Sequence, residues 1–340
     1  MFFQNVLIAS EQVAILYILV AVGAIADKIG IYTEKIAKSC TDLLFYIITP
    51  AVIIESFYKL EYSADTAKGL FIAIICGFVL HIVSAAISTL VFNRCNKDEA
   101  CIYKYSCAYG NCGYMALPLA GAVLGDEGVF YCSAVIISFQ IFSFTHGIYT
   151  ITKGKDGEKV KFSAKNLIVN PGVISVIVGL PLFLLSFEMP EIIAKPINYI
   201  ASLNTPVAML IFGTYIANTN FRTIFRNWRI FAVALVKLII LPLVLLSGFR
   251  LVGITGTLLV ALSISAGAPT ANNTVMFSAK YDRNTGLASQ TVAVVSFISI
   301  TMLQEQFFLS ELQKRTMFLY LMLFRTCSLI SQRILLSILT

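Results

Sequence analysis

The chain has 340 residues, of which 58% are hydrophobic and 13% are charged, and its net charge is +7. This charged fraction is roughly half that of an average soluble domain, so the composition excludes a large water-facing surface. A membrane-spanning helix needs about 20 apolar residues, which leaves room for roughly ten crossings joined by short loops. The eight cysteines form no C-x-x-C pair, so we expect neither a metal site nor a disulfide framework, and no cofactor.

Ten apolar stretches of spanning length follow one another along the chain. They predict an all-α membrane protein of ten transmembrane helices, which we call spans 1 to 10. The first stretch lacks the charged start and the cleavage site of a signal peptide, so we interpret it as a retained helix. The spans lie near residues 12–30, 40–58, 69–93, 102–124, 129–151, 167–187, 193–218, 228–250, 256–278 and 287–303.

Lysine and arginine are concentrated in alternate loops. The odd-numbered loops hold sixteen of them and the even-numbered loops hold four. Because cytoplasmic loops are enriched in these residues, the pattern predicts a multi-pass protein of the cell membrane with its odd-numbered loops in the cytoplasm and its N-terminus outside. The positive net charge then needs no nucleic-acid partner.

Two similar proline segments indicate an internal repeat. The sequence ITPAVII over 48–54 in span 2 resembles NTPVAML over 204–210 in span 7. Five spans separate the copies, and an odd number reverses their orientation, as in the inverted repeats of secondary transporters. His81 and Lys237 each lie 31 residues after the matching proline. We therefore predict a first repeat over 1–151, a cytoplasmic loop over 152–166, a second repeat over 167–303 and an atypical tail over 304–340.

Spans 4 and 9 carry glycine, proline and asparagine at mid-membrane depth, in YGNCGYMALP over 109–118 and SAGAPTANNT over 265–274. Proline removes a donor and glycine lets the chain leave helical geometry, so each span is predicted to unwind there. Freed N–H groups and half-helix amino ends favour an anion. The alternative is a pair of kinked helices packed through small residues. The candidate substrate-binding residues are Asn111, Met115, Pro118, Asn204, Pro269, Asn272 and Asn273.

Ionisable side chains inside a span are costly unless they are paired or hydrated, so each is a functional candidate. Lys237 in span 8 could offset a substrate carboxylate or take part in proton coupling, and the alternative is an ion pair or a carbonyl-capped amine. His81 in span 3 could relay protons, because its unperturbed pKa lies near neutrality, or could be a hydrogen-bonded packing residue. Asp65 and Lys68 at the start of span 3 form a predicted local ion pair.

The pattern N-x-x-x-M-x-x-P over 111–118, the dipeptide AP at 268–269 and the sequence FSAKY over 277–281 resemble the auxin efflux carrier family. The similarity extends to about Met302, and the short fifth loop favours the compact bacterial type. The resemblance implies two inverted five-helix repeats, spans 4 and 9 crossing at their prolines, and a scaffold of spans 1, 2, 6 and 7. It also allows a homodimer and links the segment 64–68 to support of the substrate site.

Together these features predict a secondary active transporter of a small organic acid anion, with proton coupling as one option. The resemblance implies malate-like or malonate-like carboxylates or an auxin-like weak acid as substrates. The alternatives are a channel and a transport-inactive receptor on the same scaffold. The sequence contains no P-loop motif that would favour a primary pump and no hydrolase motif that would favour an enzyme.

The last 38 residues differ in composition from the rest, since they contain no Gly, Ala, Val, Pro, Asn or Asp. One hypothesis is a frameshifted or divergent end that truncates span 10, which DNA sequencing across codon 302 would decide. The alternative is an amphipathic helix near 316–340 that lies in the membrane interface.

Overall fold

The computed structural model describes residues 2–153, 170–218 and 227–311, and within these ranges it is helical without any strand. The predicted loop over 152–166 lies almost wholly outside the described residues, as does the tail beyond Glu311. In chain order the helices are α1 (Phe2–Lys28), α2 (Glu34–Leu43), α3 (Thr49–Lys59), α4 (Ala64–Phe92), α5 (Lys97–Ala108), α6 (Leu117–Phe142), α7 (Ile148–Thr152), α8 (Pro171–Leu184), α9 (Glu191–Ser202), α10 (Asn204–Ala217), α11 (Trp228–Leu235), α12 (Leu241–Leu251), α13 (Gly256–Gly267), α14 (Asn273–Lys280) and α15 (Thr285–Glu311).

Helix length and apolar exposure make this a multi-pass membrane protein. Large apolar side chains such as Ile18, Leu90 and Leu251 are exposed, which suits a surface that faces lipid. Within the described ranges, five segments are long and apolar enough to cross a membrane, and three shorter apolar helices accompany them. The five segments are Lys35–Lys59, Ala64–Phe92, Cys112–Thr152, Glu191–Ala217 and Trp228–Leu251.

The longest of these segments, Cys112–Thr152, folds back on itself at Gly125. Gly125 has φ = 65° and ψ = −155°, a conformation that only glycine adopts without strain. A Cβ atom built on Gly128 would lie 3.0 Å from the carbonyl oxygen of Ala120. Eight residues of straight helix would separate these two positions by about 12 Å. The chain therefore reverses between the predicted spans 4 and 5.

Wide turns of π-helix precede three of the prolines. Proline has no N–H to close the helical ladder, and its ring crowds the carbonyl four residues earlier, so a wider turn relieves the clash. Such turns often lie at functional sites, and one of these begins at the break in span 4. The turns are Leu44–Ile48, Cys112–Ala116 and Val236–Ile240, and the prolines that follow them are Pro50, Pro118 and Pro242.

Helices α1 and α10 pack with their backbones very close together. A Cβ atom on Gly23 would overlap the carbonyl oxygen of Leu210, and one on Gly213 would overlap the carbonyl oxygen of Val20. Small residues at helix interfaces allow this approach in membranes. The two helices correspond to the predicted spans 1 and 7, which the family resemblance assigns to the scaffold.

We expect Gly213→Ala to lower the melting temperature of the purified protein, because the added methyl group pushes α1 and α10 apart at a cost of about 1–3 kcal/mol. Gly248→Ala in α12 is the matched control, since no heavy atom lies within 4 Å of a Cβ built there. Size-exclusion chromatography of heated, detergent-solubilised samples measures both variants. Equal melting temperatures would contradict the close packing.

Candidate functional site

The breaks in spans 4 and 9 cross each other and pair through their backbones. The first break covers residues 109–111 and the second covers 268–272. Unpaired backbone groups are costly away from water, so this pairing stabilises two interruptions that neither helix would tolerate alone. The pairing consists of the Asn111 N–H donating to the Pro269 carbonyl at 2.6 Å, the Ala271 N–H donating to the Tyr109 carbonyl at 3.0 Å, and an antiparallel bridge between Gly110 and Thr270.

Gly110 lies at the tightest point of the crossing. A Cβ atom at this position would lie 3.0 Å from the Ala268 carbonyl oxygen and 3.0 Å from Nζ of Lys237. The hydroxyl of Thr270, opposite Gly110, donates to the Ser106 carbonyl at 3.0 Å. The crossing therefore requires glycine at position 110, where no side chain fits, as well as the two prolines.

Lys237 is fully buried beside this crossing. Its ammonium group donates to the Ala266 carbonyl at 3.3 Å, in the last turn of α13. Helix α5 also ends at the crossing, so the ammonium lies where two helix carboxyl ends meet, and their dipoles favour a cation there. Among the ion pairs of the described residues none includes Lys237. Its contact is that of a carbonyl-capped amine.

A cavity lies at the amino ends that follow the two breaks. It encloses about 430 Å³ of empty space, its open mouth included. The Asn111 side-chain oxygen accepts from the Tyr114 N–H at 3.2 Å, while its amide nitrogen is buried and has no partner among the described residues. Asn111 thus offers a hydrogen-bond donor to the cavity. The lining residues are Phe45, Thr49, Asn111, Gly113, Tyr114, Ile136, Phe139, Gln140, Gly172, Ala271, Asn272 and Asn273.

A second donor comes from Gln140, whose amide is oriented by a chain of hydrogen bonds. The Gly172 N–H donates to Oδ1 of Asn170 at 2.9 Å, and Nδ2 of Asn170 donates to Oε1 of Gln140 at 3.1 Å. Because the Gln140 oxygen is engaged in this way, its amide nitrogen is the end available to a ligand. The Thr49 hydroxyl adds a further group that is buried without a partner in the described part of the chain.

Asn272 and Asn273 begin α14 at the other wall of the cavity. Nδ2 of Asn273 donates to the Ser143 hydroxyl at 3.5 Å, and this hydroxyl also bonds the Tyr105 hydroxyl at 2.5 Å. The Asn272 side-chain oxygen is buried and unpaired within the described ranges. Among the described residues, the cavity therefore presents several donors, an unpaired acceptor on Asn272 and the Thr49 hydroxyl, which can donate or accept.

His81 is completely buried on α4, next to the break in span 4. Its Nδ1 lies 2.7 Å from the Gly77 carbonyl oxygen and 3.1 Å from the Ser138 hydroxyl. Its ring stacks on Tyr109, with 6.2 Å between the ring centroids. Nε2 has no partner among the residues that the structure describes. His81 supports the break but does not line the cavity.

Three of the predicted substrate-binding residues come together in the cavity: Asn111, Asn272 and Asn273. Pro269 contributes its carbonyl to the crossing. The others are Met115, Pro118 and Asn204, which are buried near the site but do not line the cavity.

Asp65 and Lys68 lie at the exposed start of α4. At about 1.5 Å per residue, Asp65 is about 24 Å along this helix from His81, so the structure does not bring the pair to the crossing. The ion pairs of the described residues do not include one between these two side chains. In this structure the predicted local ion pair is not formed.

Thr49 and Gln140 are site residues that sequence reasoning missed. Gln140 is a polar side chain in the middle of an apolar span, which is itself a signal of function. Thr49 stands next to the proline of the first repeat segment. Both signals were available, but nothing in the sequence showed that these two side chains face the same cavity as Asn111.

The apolar helices, the crossed breaks and a cavity lined partly by amide side chains are the features of a multi-pass membrane transport protein. Residues 8–304 match the family described as "Membrane transport protein", and the chain belongs to this family, which confirms the resemblance to auxin efflux carriers. "Uncharacterized transporter MJ1031" of Methanocaldococcus jannaschii is 23% identical over 86% of this chain and 96% of the relative. "Putative malonate transporter" of Rhizobium meliloti is 24% identical over 62% of this chain and 67% of the relative. Family and relatives are transporters, so the expectation that the chain is not an enzyme is confirmed.

We expect Gly110→Ala to lower the melting temperature, because its methyl group would press on the Ala268 carbonyl and the Lys237 ammonium. Gly113→Ala is the matched control two residues beyond the break, since a Cβ there meets only the Thr49 methyl group at 3.6 Å. Thermal unfolding followed by tryptophan fluorescence of the detergent-solubilised protein compares them. A melting temperature for Gly110→Ala equal to that of Gly113→Ala would contradict the tight crossing.

Proposed function

We propose that this protein is a secondary active transporter that carries a small organic acid anion across the cell membrane. Membership in a membrane transport family supports transport, and the relative described as a putative malonate transporter supports a carboxylate substrate. Since the cavity is small and combines amide and hydroxyl groups with apolar walls, a short carboxylic acid such as malonate or malate suits it better than a bulky aromatic acid.

The orientation of the helix ends at the crossing is the observation that supports this proposal most directly. The carboxyl ends of α5 and α13 meet around the Lys237 ammonium, whereas the opposite amino ends open into the cavity with the free amide of Asn111. Helix amino ends carry a partial positive charge, so a carboxylate in the cavity is stabilised by the dipoles and by direct hydrogen bonds. We assign substrate binding to Asn111, Asn272 and Asn273, with Thr49 and Gln140 as further contacts.

We also propose the ten-span arrangement of two inverted five-helix repeats, over 1–151 and 167–303. The reversal at Gly125 and the antiparallel pairing of the two breaks support this arrangement. Loop charge supports an N-terminus outside and odd-numbered loops in the cytoplasm. Met115, Pro118 and Pro269 would then shape the broken spans, and Asn204 would begin the scaffold helix α10.

Lys237 is the proposed charge-compensating residue of the transport cycle, because it is the buried cation nearest the crossing. His81 is a proposed partner in proton coupling, since its ring stacks on the break residue Tyr109 and its Nε2 has no partner in the described part of the chain. Asp65 and Lys68 would act only from a distance, through the position of α4. Lys237 is the one of these four residues that lies at the crossing itself, where a Cβ atom on Gly110 would lie 3.0 Å from its Nζ.

We expect Asn111→Ala to reduce kcat/KM for carboxylate counterflow in proteoliposomes by about tenfold or more, because a hydrogen bond to a charged group contributes about 1.5–3 kcal/mol. Lys237→Met is expected to abolish counterflow, whereas Lys195→Met, on an exposed lysine paired with Glu191, should leave it unchanged. Labelled malonate and malate are the probes.

Two outcomes would contradict the proposal. Saturable counterflow with equal kcat/KM in the wild type and in Asn111→Ala would show that the substrate does not bind in this cavity. A conductance that rises without saturation as substrate is added would indicate a channel instead of a carrier.

A further inference from the structure

The hydrogen-bonding groups of the cavity require a ligand that donates as well as accepts. Asn111, Gln140 and Thr49 offer donors, but the side-chain oxygen of Asn272 is an acceptor that is buried and unpaired within the described ranges. A fully ionised dicarboxylate without a hydroxyl group, such as malonate, has only acceptor atoms. It would leave the Asn272 oxygen unpaired, at a cost of about 1–3 kcal/mol, whereas a ligand O–H group would satisfy it.

The electrostatics of the cavity favour a ligand with a single negative charge. The amino end that follows Asn111 and the amino end of α14 each carry about half an elementary charge, so together they match about one negative charge. The lining side chains that the structure describes have no formal charge at neutral pH. Lys237 lies at the carboxyl ends on the other side of the crossing and does not line the cavity, so a second carboxylate charge in the cavity would have no counter-charge among the lining residues, which is unfavourable.

We propose that the site binds its substrate as a monoanion that retains one O–H group, an inference that rests on the proposed carrier function. The carboxylate faces the two amino ends and the amide of Asn111, and the O–H group donates to the Asn272 oxygen. A singly protonated dicarboxylate and a hydroxy monocarboxylate share this chemistry.

For a dicarboxylate the consequence is that the substrate brings its own proton. The monoanion crosses with the proton attached and releases it on the other side according to the local pH, so no side chain has to titrate. Several titratable side chains lie around the cavity and the crossing, and the test must separate their ionisation from that of the substrate. These are Asp42, His81, Cys112, Tyr114, His146 and Lys237.

Counterflow into proteoliposomes that hold the full-length protein, with equal pH on both sides, tests the inference on the wild type. We expect the KM for total malonate to rise about tenfold for each pH unit above its second ionisation, because only the monoanion binds. The KM for malonamate, a monoanion with an N–H donor and no second acidic proton, should not change with pH. Monomethyl malonate, a monoanion without the donor, should have a KM about fivefold higher or more than malonamate.

3-Hydroxypropionate distinguishes the two ligand classes that share this chemistry, the hydroxy monocarboxylates and the singly protonated dicarboxylates. Counterflow of 3-hydroxypropionate with a pH-independent KM and no counterflow of malonate would assign the site to hydroxy acids. The malonate result described above, with weak 3-hydroxypropionate counterflow, would assign it to singly protonated dicarboxylates. A malonate KM that stays constant as the dianion becomes the main species would overturn the inference, as would equal KM values for malonamate and monomethyl malonate.

Two variants add readouts that a purely structural role would not produce. Asn272→Leu should bring the KM values of malonamate and monomethyl malonate together, because the acceptor is gone. His81 is the side chain proposed above for proton coupling, so His81→Asn separates the two routes. An unchanged pH dependence of the malonate KM supports a proton carried by the substrate, and a shifted profile would place the proton on His81 and overturn the inference. Saturable counterflow of the dianion would overturn this inference but leave the carrier function intact, whereas no saturable carboxylate counterflow at all would overturn both.

Discussion

The structure depends on the mutual pairing of two broken helices. A helix that unwinds in a low-dielectric environment exposes backbone donors and acceptors that water cannot reach, and each costs free energy if left unpaired. Here the break around Asn111 and the break around Pro269 satisfy each other with two short backbone hydrogen bonds. The same pairing places the two carboxyl ends of the broken helices beside Lys237 and the two amino ends at the cavity. Because helix amino ends carry partial positive charge, the cavity favours an anion.

Much of the fold could be predicted from the sequence, because the signals are local. Apolar length indicated where the helices lie, and Pro118 and Pro269 marked spans that do not continue as simple helices. The π turns were not predicted, since they leave no pattern of their own; three of those in the described residues precede Pro50, Pro118 and Pro242, and one, Ser143–Gly147, has no proline after it. The reversal at Gly125 falls between predicted spans 4 and 5, although the helical hydrogen bonding runs almost through it.

The site could be predicted only in part, because a cavity is a property of packing between distant segments. Asn111, Asn272 and Asn273 were identified because they flank the prolines at which the helices break. Gln140 and Thr49 were missed, since they reach the cavity through the packing of α6 and α3 against the crossing. Lys237 was identified as an unusual buried charge, but its contact with the Ala266 carbonyl required the structure. Asp65 lies at the start of α4, far from the crossing, a distance that follows from the helical rise once His81 is placed beside the break.

We expect an organic anion to bind at the amino ends of the crossed helices. Experimental density maps of the full-length protein in nanodiscs, with an antibody fragment as a fiducial, recorded with and without saturating malonate, would locate it. Ligand density is expected between Asn111 and Asn273, within hydrogen-bonding distance of the Asn111 amide nitrogen and absent from the ligand-free map. Ligand density beside Lys237 at the carboxyl ends, with the cavity empty in both maps, would contradict it.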